Sequence, residues 1–79
     1  MNKNQFALIV LDDNQHTELH FQKVLKAIFK YEDKLIRSIC QVINREKSAE
    51  CIVGPMERIE FYQETLARYG INSKIEVRI

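Results

Sequence analysis

The sequence predicts an α+β domain in which a three-stranded antiparallel sheet carries three helices on one side, in the order β-α-α-β-α-β. Three observations lead to this fold class. A continuous apolar run lies near the amino terminus, three longer segments repeat apolar residues at helical spacing, and two short segments alternate apolar and polar residues. With 79 residues the chain holds one small domain, expected over residues 6–79 behind a short tail of residues 1–5.

The apolar run at residues 6–11 is hydrophobic on both faces, which is typical of a central strand. Turn-forming residues 12–16 follow it, and Thr17 suits the N-cap of a helix that runs to about Lys30. The apolar face of this first helix consists of Phe21, Val24, Leu25 and Ile28.

A second helix is predicted over residues 33–44, with an apolar face formed by Leu35, Ile36, Ile39, Cys40 and Ile43. The next strand is short. Its predicted inner face consists of Ala49, Cys51 and Val53, which alternate with Glu50 and Ile52.

Pro55 is suited to the first position of a third helix, and Gly70 to its left-handed C-terminal cap. The apolar face of this helix is predicted to contain Ile59, Tyr62, Leu66 and Tyr69. In the last strand the buried face is expected to consist of Ile75, Val77 and Ile79. These residues alternate with Lys74, Glu76 and Arg78 on the solvent-exposed face.

The charge pattern excludes two classes of partner. Net charge is +1 and the charges are mixed along the chain, so there is neither the clustered basic face of a nucleic-acid binder nor a polybasic membrane anchor. Two cysteines do not make a disulfide framework. Reduced thiols and the lack of a signal-peptide pattern predict a cytoplasmic protein.

The order of elements and the first loop resemble the ClpS family of small Clp protease adaptors. The match runs without a gap to about Tyr69, after which the last loop of this sequence is shorter. The matching positions are residues 9–14, Val24-Leu25, Ile28-Phe29, Tyr31-Glu32, residues 51–53 and Tyr69. The resemblance implies a non-enzymatic module without cofactor or metal. It would bind the N-terminal degradation signals of substrate proteins and dock on a Clp AAA+ unfoldase of the ClpA/ClpC type.

The resemblance also implies a site. A free N-terminal ammonium offers three N–H donors and a positive charge, so it requires converging oxygens. The implied acceptors are Asp12, which replaces the family's Asn, Asp13, and Asn44, which replaces its His. The implied side-chain pocket comprises Cys40, Ile43 and Ile71, with His16 and Glu18 near it, and the implied unfoldase contact comprises Glu57 and Tyr62.

Two other functions remain open at this point. The Asp12 and Asn44 replacements permit either an altered N-terminal preference or a degenerate interaction domain that competes at the unfoldase without binding peptides. A tail of residues 1–5 reaches at most about 18 Å, so we expect it to be too short for the family's usual delivery arm. A metal enzyme using Asp12, Asp13, His16 and His20 is disfavoured because the spacing is not H-E-x-x-H.

Overall fold

The computed structural model of the protein describes residues 5–78, and the element order confirms the predicted one. The elements are β1 (Gln5–Leu11), α1 (Glu18–Phe29), α2 (Asp33–Glu46), β2 (Ser48–Gly54), α3 (Met56–Arg68) and β3 (Ser73–Arg78). Thr17 caps α1 as predicted, because its hydroxyl accepts a hydrogen bond from the backbone N–H of His20 at 3.1 Å. No helix within residues 5–78 is long and apolar enough to cross a bilayer.

The sheet has the order β2-β1-β3, and β1 is antiparallel to both of its neighbours. The central position predicted for the apolar run is therefore confirmed. Ala7, Leu8 and Val10 in this strand are fully buried, since each face of the strand is covered and each edge is paired.

The core lies between the sheet and the helices. Its fully buried side chains include Leu8, Leu25, Ile59, Leu66 and Ile71. Because α1 and α2 both pack on this core, the β1–α1 loop (residues 12–17) is brought beside the C-terminal end of α2. The hydrogen bond from the Asp12 N–H to the Lys47 carbonyl, at 3.0 Å, joins these two segments.

The opposite face of the sheet is covered by ion-paired side chains instead of a second layer. The Arg78 guanidinium lies 2.9 Å from Glu50 and 3.2 Å from Glu76. The apolar stems of such side chains can shield the residues beneath them, and Ile9 is only 6% exposed on this face.

An irregularity in β2 corrects one prediction. The β1–β2 register shifts between Leu8 and Ile9, which places Ile52 opposite Leu8 and Val53 opposite Ala7. Cys51 and Ile52 therefore both pack against the core, whereas Val53, predicted on the inner face, belongs to the other face. Simple alternation fails here because a bulge inserts one extra residue.

Other apolar residues predicted to be inside are exposed. Leu35 is 47%, Tyr69 49% and Val77 55% exposed, since each lies at the end or edge of its element. Ile79 lies outside the described residues. Pro55 is the N-cap of α3, one position before the predicted one, and α2 extends past residue 44 to Glu46.

Candidate functional site

A pocket opens between the β1–α1 loop, the first turn of α1 and the C-terminal part of α2. Its lining residues are Asp12, His16, Glu18, Phe21, Cys40, Ile43 and Asn44, and we call it the loop pocket. Its volume is about 40 Å³, enough for a few water molecules.

One side of the loop pocket is apolar. Phe21 from α1 and Cys40 and Ile43 from α2 form this wall, and none of the three is more than 3% exposed. They project from the helical faces that also build the core, so the wall is held by the packing of the domain.

The other side is polar and carries Asp12. One carboxylate oxygen of Asp12, Oδ1, accepts the N–H of Asn14 at 3.1 Å, and Oδ2 lies 3.7 Å from the ammonium of Lys47. This is an Asx turn, and Asn14 completes it with a left-handed φ of 61°. The side chain of Asp12 is only 11% exposed, so the turn fixes a nearly enclosed carboxylate at the pocket edge.

Asp13 is turned into its own loop. Its Oδ1 accepts the N–H groups of Gln15 at 2.9 Å and His16 at 3.2 Å, while Oδ2 lies 2.6 Å from His16 Nδ1. The hydrogen bond from Gln15 is the main cause that lowers the pKa of Asp13. The bonds and charge of His16 act in the same direction, against the effect of burial. An ionised carboxylate only accepts, so Nδ1 of His16 is the donor.

His16 connects the loop to the rest of the domain. Its ring stacks on that of His20 with centroids 4.5 Å apart and meets the ring of Phe21 edge-on at 6.0 Å. On its far side lies Gly70, whose φ is +79°. A Cβ at Gly70 would come within 3.4 Å of His16 Nε2. A glycine therefore suits this turn both for its left-handed backbone and for the close approach of the ring.

The pocket edge is anionic. Glu18 joins Asp12 there, and its Oε2 accepts a hydrogen bond from Gln22 at 3.1 Å. Burial, with a smaller contribution from the negative charge of Glu18, raises the pKa of the Cys40 thiol to about 11. Asn44 adds an exposed amide. Within residues 5–78 no lysine or arginine lines the pocket, although the ammonium of Lys47 lies 3.7 Å from Asp12 at its edge.

Comparison with known proteins identifies the family. The family model described as "ATP-dependent Clp protease adaptor protein ClpS" matches residues 1–75. The chain belongs to the ClpS family. It is thereby a member of a non-enzymatic adaptor family, as the resemblance implied, and no cluster of three potential metal ligands is found within residues 5–78.

A solved structure supports the same fold. The structure of Agrobacterium tumefaciens ClpS2 bound to L-phenylalaninamide superposes with a TM-score of 0.86 at 19% sequence identity. The alignment covers 98% of this chain and 100% of that one. No curated protein matches by sequence.

The loop pocket of this ClpS-family chain brings together most of the residues implied by the resemblance. Those that line it are Asp12, His16, Glu18, Cys40, Ile43 and Asn44. Asp13 and Ile71 do not line it. Asp13 is bound within the loop, and Ile71 is 1% exposed in the core, where its N–H bonds to the Leu66 carbonyl at 3.0 Å. The shorter last loop is the reason that the position of Ile71 could not be read from the sequence.

Phe21 is the lining residue that the sequence analysis did not assign to the site. The signal was present, because Phe21 follows Glu18 by three positions and so lies on the same helical face. It was assigned only to the core, where it also packs.

The residues implied in unfoldase docking lie on α3. Glu57 is exposed in the first turn. Tyr62 is half-buried, with its ring centroid 4.9 Å from that of Phe29 and 5.8 Å from that of Phe61. Phe61 is 63% exposed, so this part of α3 presents aromatic surface.

Proposed function

We propose that this ClpS-family chain is a cytoplasmic adaptor that binds the free N-terminal residue of a substrate protein in the loop pocket and docks on a Clp AAA+ unfoldase. The observation that carries the proposal is that three residues with acceptor oxygens, Asp12, Glu18 and Asn44, line the same pocket as the apolar wall. An N-terminal residue has the matching form, with a cationic group beside a side chain. The related ClpS2 bound to L-phenylalaninamide supports the same assignment.

The proposed acceptors have oxygens to offer to an ammonium. Asp12 Oδ1 is engaged by Asn14, but the nearest cation to Oδ2 is Lys47 at 3.7 Å, longer than a normal hydrogen bond. Glu18 has its Oε2 bound to Gln22 and can offer the other oxygen. Asn44 can turn its amide oxygen toward the ligand and its amino group toward a peptide carbonyl.

Asp13 acts in this proposal as a positioning residue. It holds the N–H groups of Gln15 and His16 and so fixes the loop that carries Asp12. It also keeps the His16 ring at the pocket edge through the 2.6 Å contact with Nδ1.

The size of the pocket favours a second candidate. An apolar cavity of about 150 Å³ accommodates benzene, whereas the loop pocket measures about 40 Å³. A bulky first side chain would have to displace part of the wall. The second candidate is therefore a ClpS-family domain that docks on the unfoldase, with contacts near Glu57 and Tyr62, but does not bind N-terminal residues.

Calorimetric titration with matched peptides separates these candidates. The peptides begin with Phe, Leu or Ala and carry either a free or an acetylated amino terminus, since acetylation removes only the charge. If the loop pocket binds N-terminal residues, free-amine peptides should bind saturably and acetylated ones should not. Asp12→Ala or Asn44→Ala should then weaken binding by about 1–3 kcal/mol. Lys47→Ala, which removes a neighbouring cation and no acceptor, is the control and should not weaken binding.

An absence of binding for all free-amine peptides would contradict N-terminal recognition by the loop pocket. If the protein then still co-sediments with a purified Clp unfoldase, and Glu57→Lys but not the exposed control Glu64→Lys abolishes this, the second candidate is supported.

A further inference from the structure

A second and larger concavity lies along the groove between α1 and α2, with a volume of about 240 Å³. It is lined by the apolar residues Leu19 and Ile36 and by the charged residues Lys23, Lys26, Asp33 and Arg37, and we call it the helix groove. With three cations and one carboxylate it is positive, in contrast to the anionic loop pocket.

The helix groove continues the loop pocket. On the α1 side, Gln22, which lines the groove, donates a hydrogen bond at 3.1 Å to Glu18, which lines the loop pocket. On the α2 side, Cys40 of the pocket and Ile36 of the groove are one helical turn apart on the same buried face. On both helices, therefore, residues that line the loop pocket and residues that line the helix groove lie only one turn apart.

We propose that the helix groove binds the residues that follow the N-terminal residue of the substrate, and that it selects an acidic segment there. This rests on the proposed function, because the loop pocket must first hold the amino terminus. From Glu18 to Lys26 the helix rises about 12 Å, the span of three to four extended residues. Lys23 lies about 7.5 Å along this rise, beside the third residue of such a peptide.

Charge complementarity favours an acidic occupant. Lys26 pairs with Asp33. The hydrogen bond from Lys26, followed by the positive charges of Lys26 and Arg37, lowers the pKa of Asp33. Lys23 forms no ion pair within residues 5–78. One carboxylate thus faces three cations, and Leu19, 59% exposed, adds apolar surface for the stems of peptide side chains.

The test uses four peptides with the best first residue from the titration above. Positions 3 and 4 are Glu-Glu, Gln-Gln or Lys-Lys, and the fourth peptide is the acetylated Glu-Glu form. The Glu-Glu peptide should bind about three- to tenfold more tightly than Gln-Gln, and Lys-Lys more weakly, because exposed ion pairs contribute modestly. The difference should shrink at high salt.

Charge reversal gives the matched variants. Lys23→Glu with Arg37→Glu should invert the order of the peptides, whereas Lys34→Glu, an exposed charge on α2 outside the groove, should leave it unchanged. Circular dichroism checks that each variant is folded. Equal affinities for the three free-amine peptides overturn the groove assignment and leave the loop pocket intact. No binding by any free-amine peptide overturns both.

Discussion

Two carboxylates of the β1–α1 loop and the core beneath them are shielded from water by different means. The side chains of Asp12 and Asp13 remain 11% and 13% exposed, whereas core residues such as Leu25 and Ile59 are fully buried. The core excludes water with apolar side chains alone, whereas the loop carboxylates are satisfied by backbone N–H groups and His16. Changes in the core should therefore act on stability, and changes in the loop on both stability and the geometry of the site.

The largest expected effect comes from the core. Leu25 is fully buried, so Leu25→Ala should lower the free energy of unfolding by about 2–5 kcal/mol through lost burial and the cavity it leaves. Urea titration followed by circular dichroism measures this. Leu19→Ala on the same helix, at a site 59% exposed, is the matched control and should change stability by less than about 0.5 kcal/mol. Equal losses for the two variants would show that the core does not dominate stability.

A smaller effect is expected from Asp13, with a distinct pH dependence. Asp13→Asn should destabilise the protein at neutral pH by about 1–3 kcal/mol, because two backbone N–H groups and His16 lose a charged acceptor. The folded-state pKa of Asp13 lies below its ordinary value, so its stabilisation is complete above that value and is lost as pH falls through the folded pKa. The difference in the free energy of unfolding between the native protein and the variant should thus disappear below about pH 4.

Urea titrations of the native protein and the variant from pH 2 to pH 7 test the direction of this pH dependence. The exposed carboxylates of Asp33 and Glu76 also have lowered pKa values, but they are common to both proteins and cancel in the difference. A difference that widens as the pH falls would contradict the assigned contacts of Asp13.

The smallest effect is expected at the two buried thiols, of which Cys40 lines the loop pocket and Cys51 lies in β2. Burial raises the pKa of Cys40 to about 11 and that of Cys51 to about 12, so both remain protonated at pH 8. An alkylating reagent should modify neither appreciably in the folded protein and both rapidly in urea, as read by mass spectrometry. Cys40 should be the faster of the two, since it lines the pocket. Rapid labelling of Cys51 in the native state would contradict its burial.

The sequence predicted the elements well because most of their signals are local. The N-cap at Thr17 and the left-handed Gly70 depend on residues within one turn and are confirmed. The central position of β1 followed from a run that is apolar on both faces. The bulge that turns Val53 away from the core left no signal, because it depends on the register with another strand.

The candidate site was predictable only in its composition. The family resemblance indicated six residues that line the loop pocket, but Asp12 and Asp13 are adjacent in the chain and equivalent by residue type. Only the folded loop assigns one to the pocket edge and the other to the backbone of residues 15 and 16. Asn14, which follows both carboxylates, adopts a left-handed φ of 61° in this loop.

By itself the sequence determined the order of helices and strands, the central position of β1 and the family, since these follow from periodicity, capping and local matches. The tertiary structure alone decided which carboxylate faces the pocket, that Ile71 belongs to the core, and that an anionic pocket continues into a cationic groove. The physical reason is that each of these depends on the packing of α1 against α2 and of the first loop against both, contacts between residues distant in the chain.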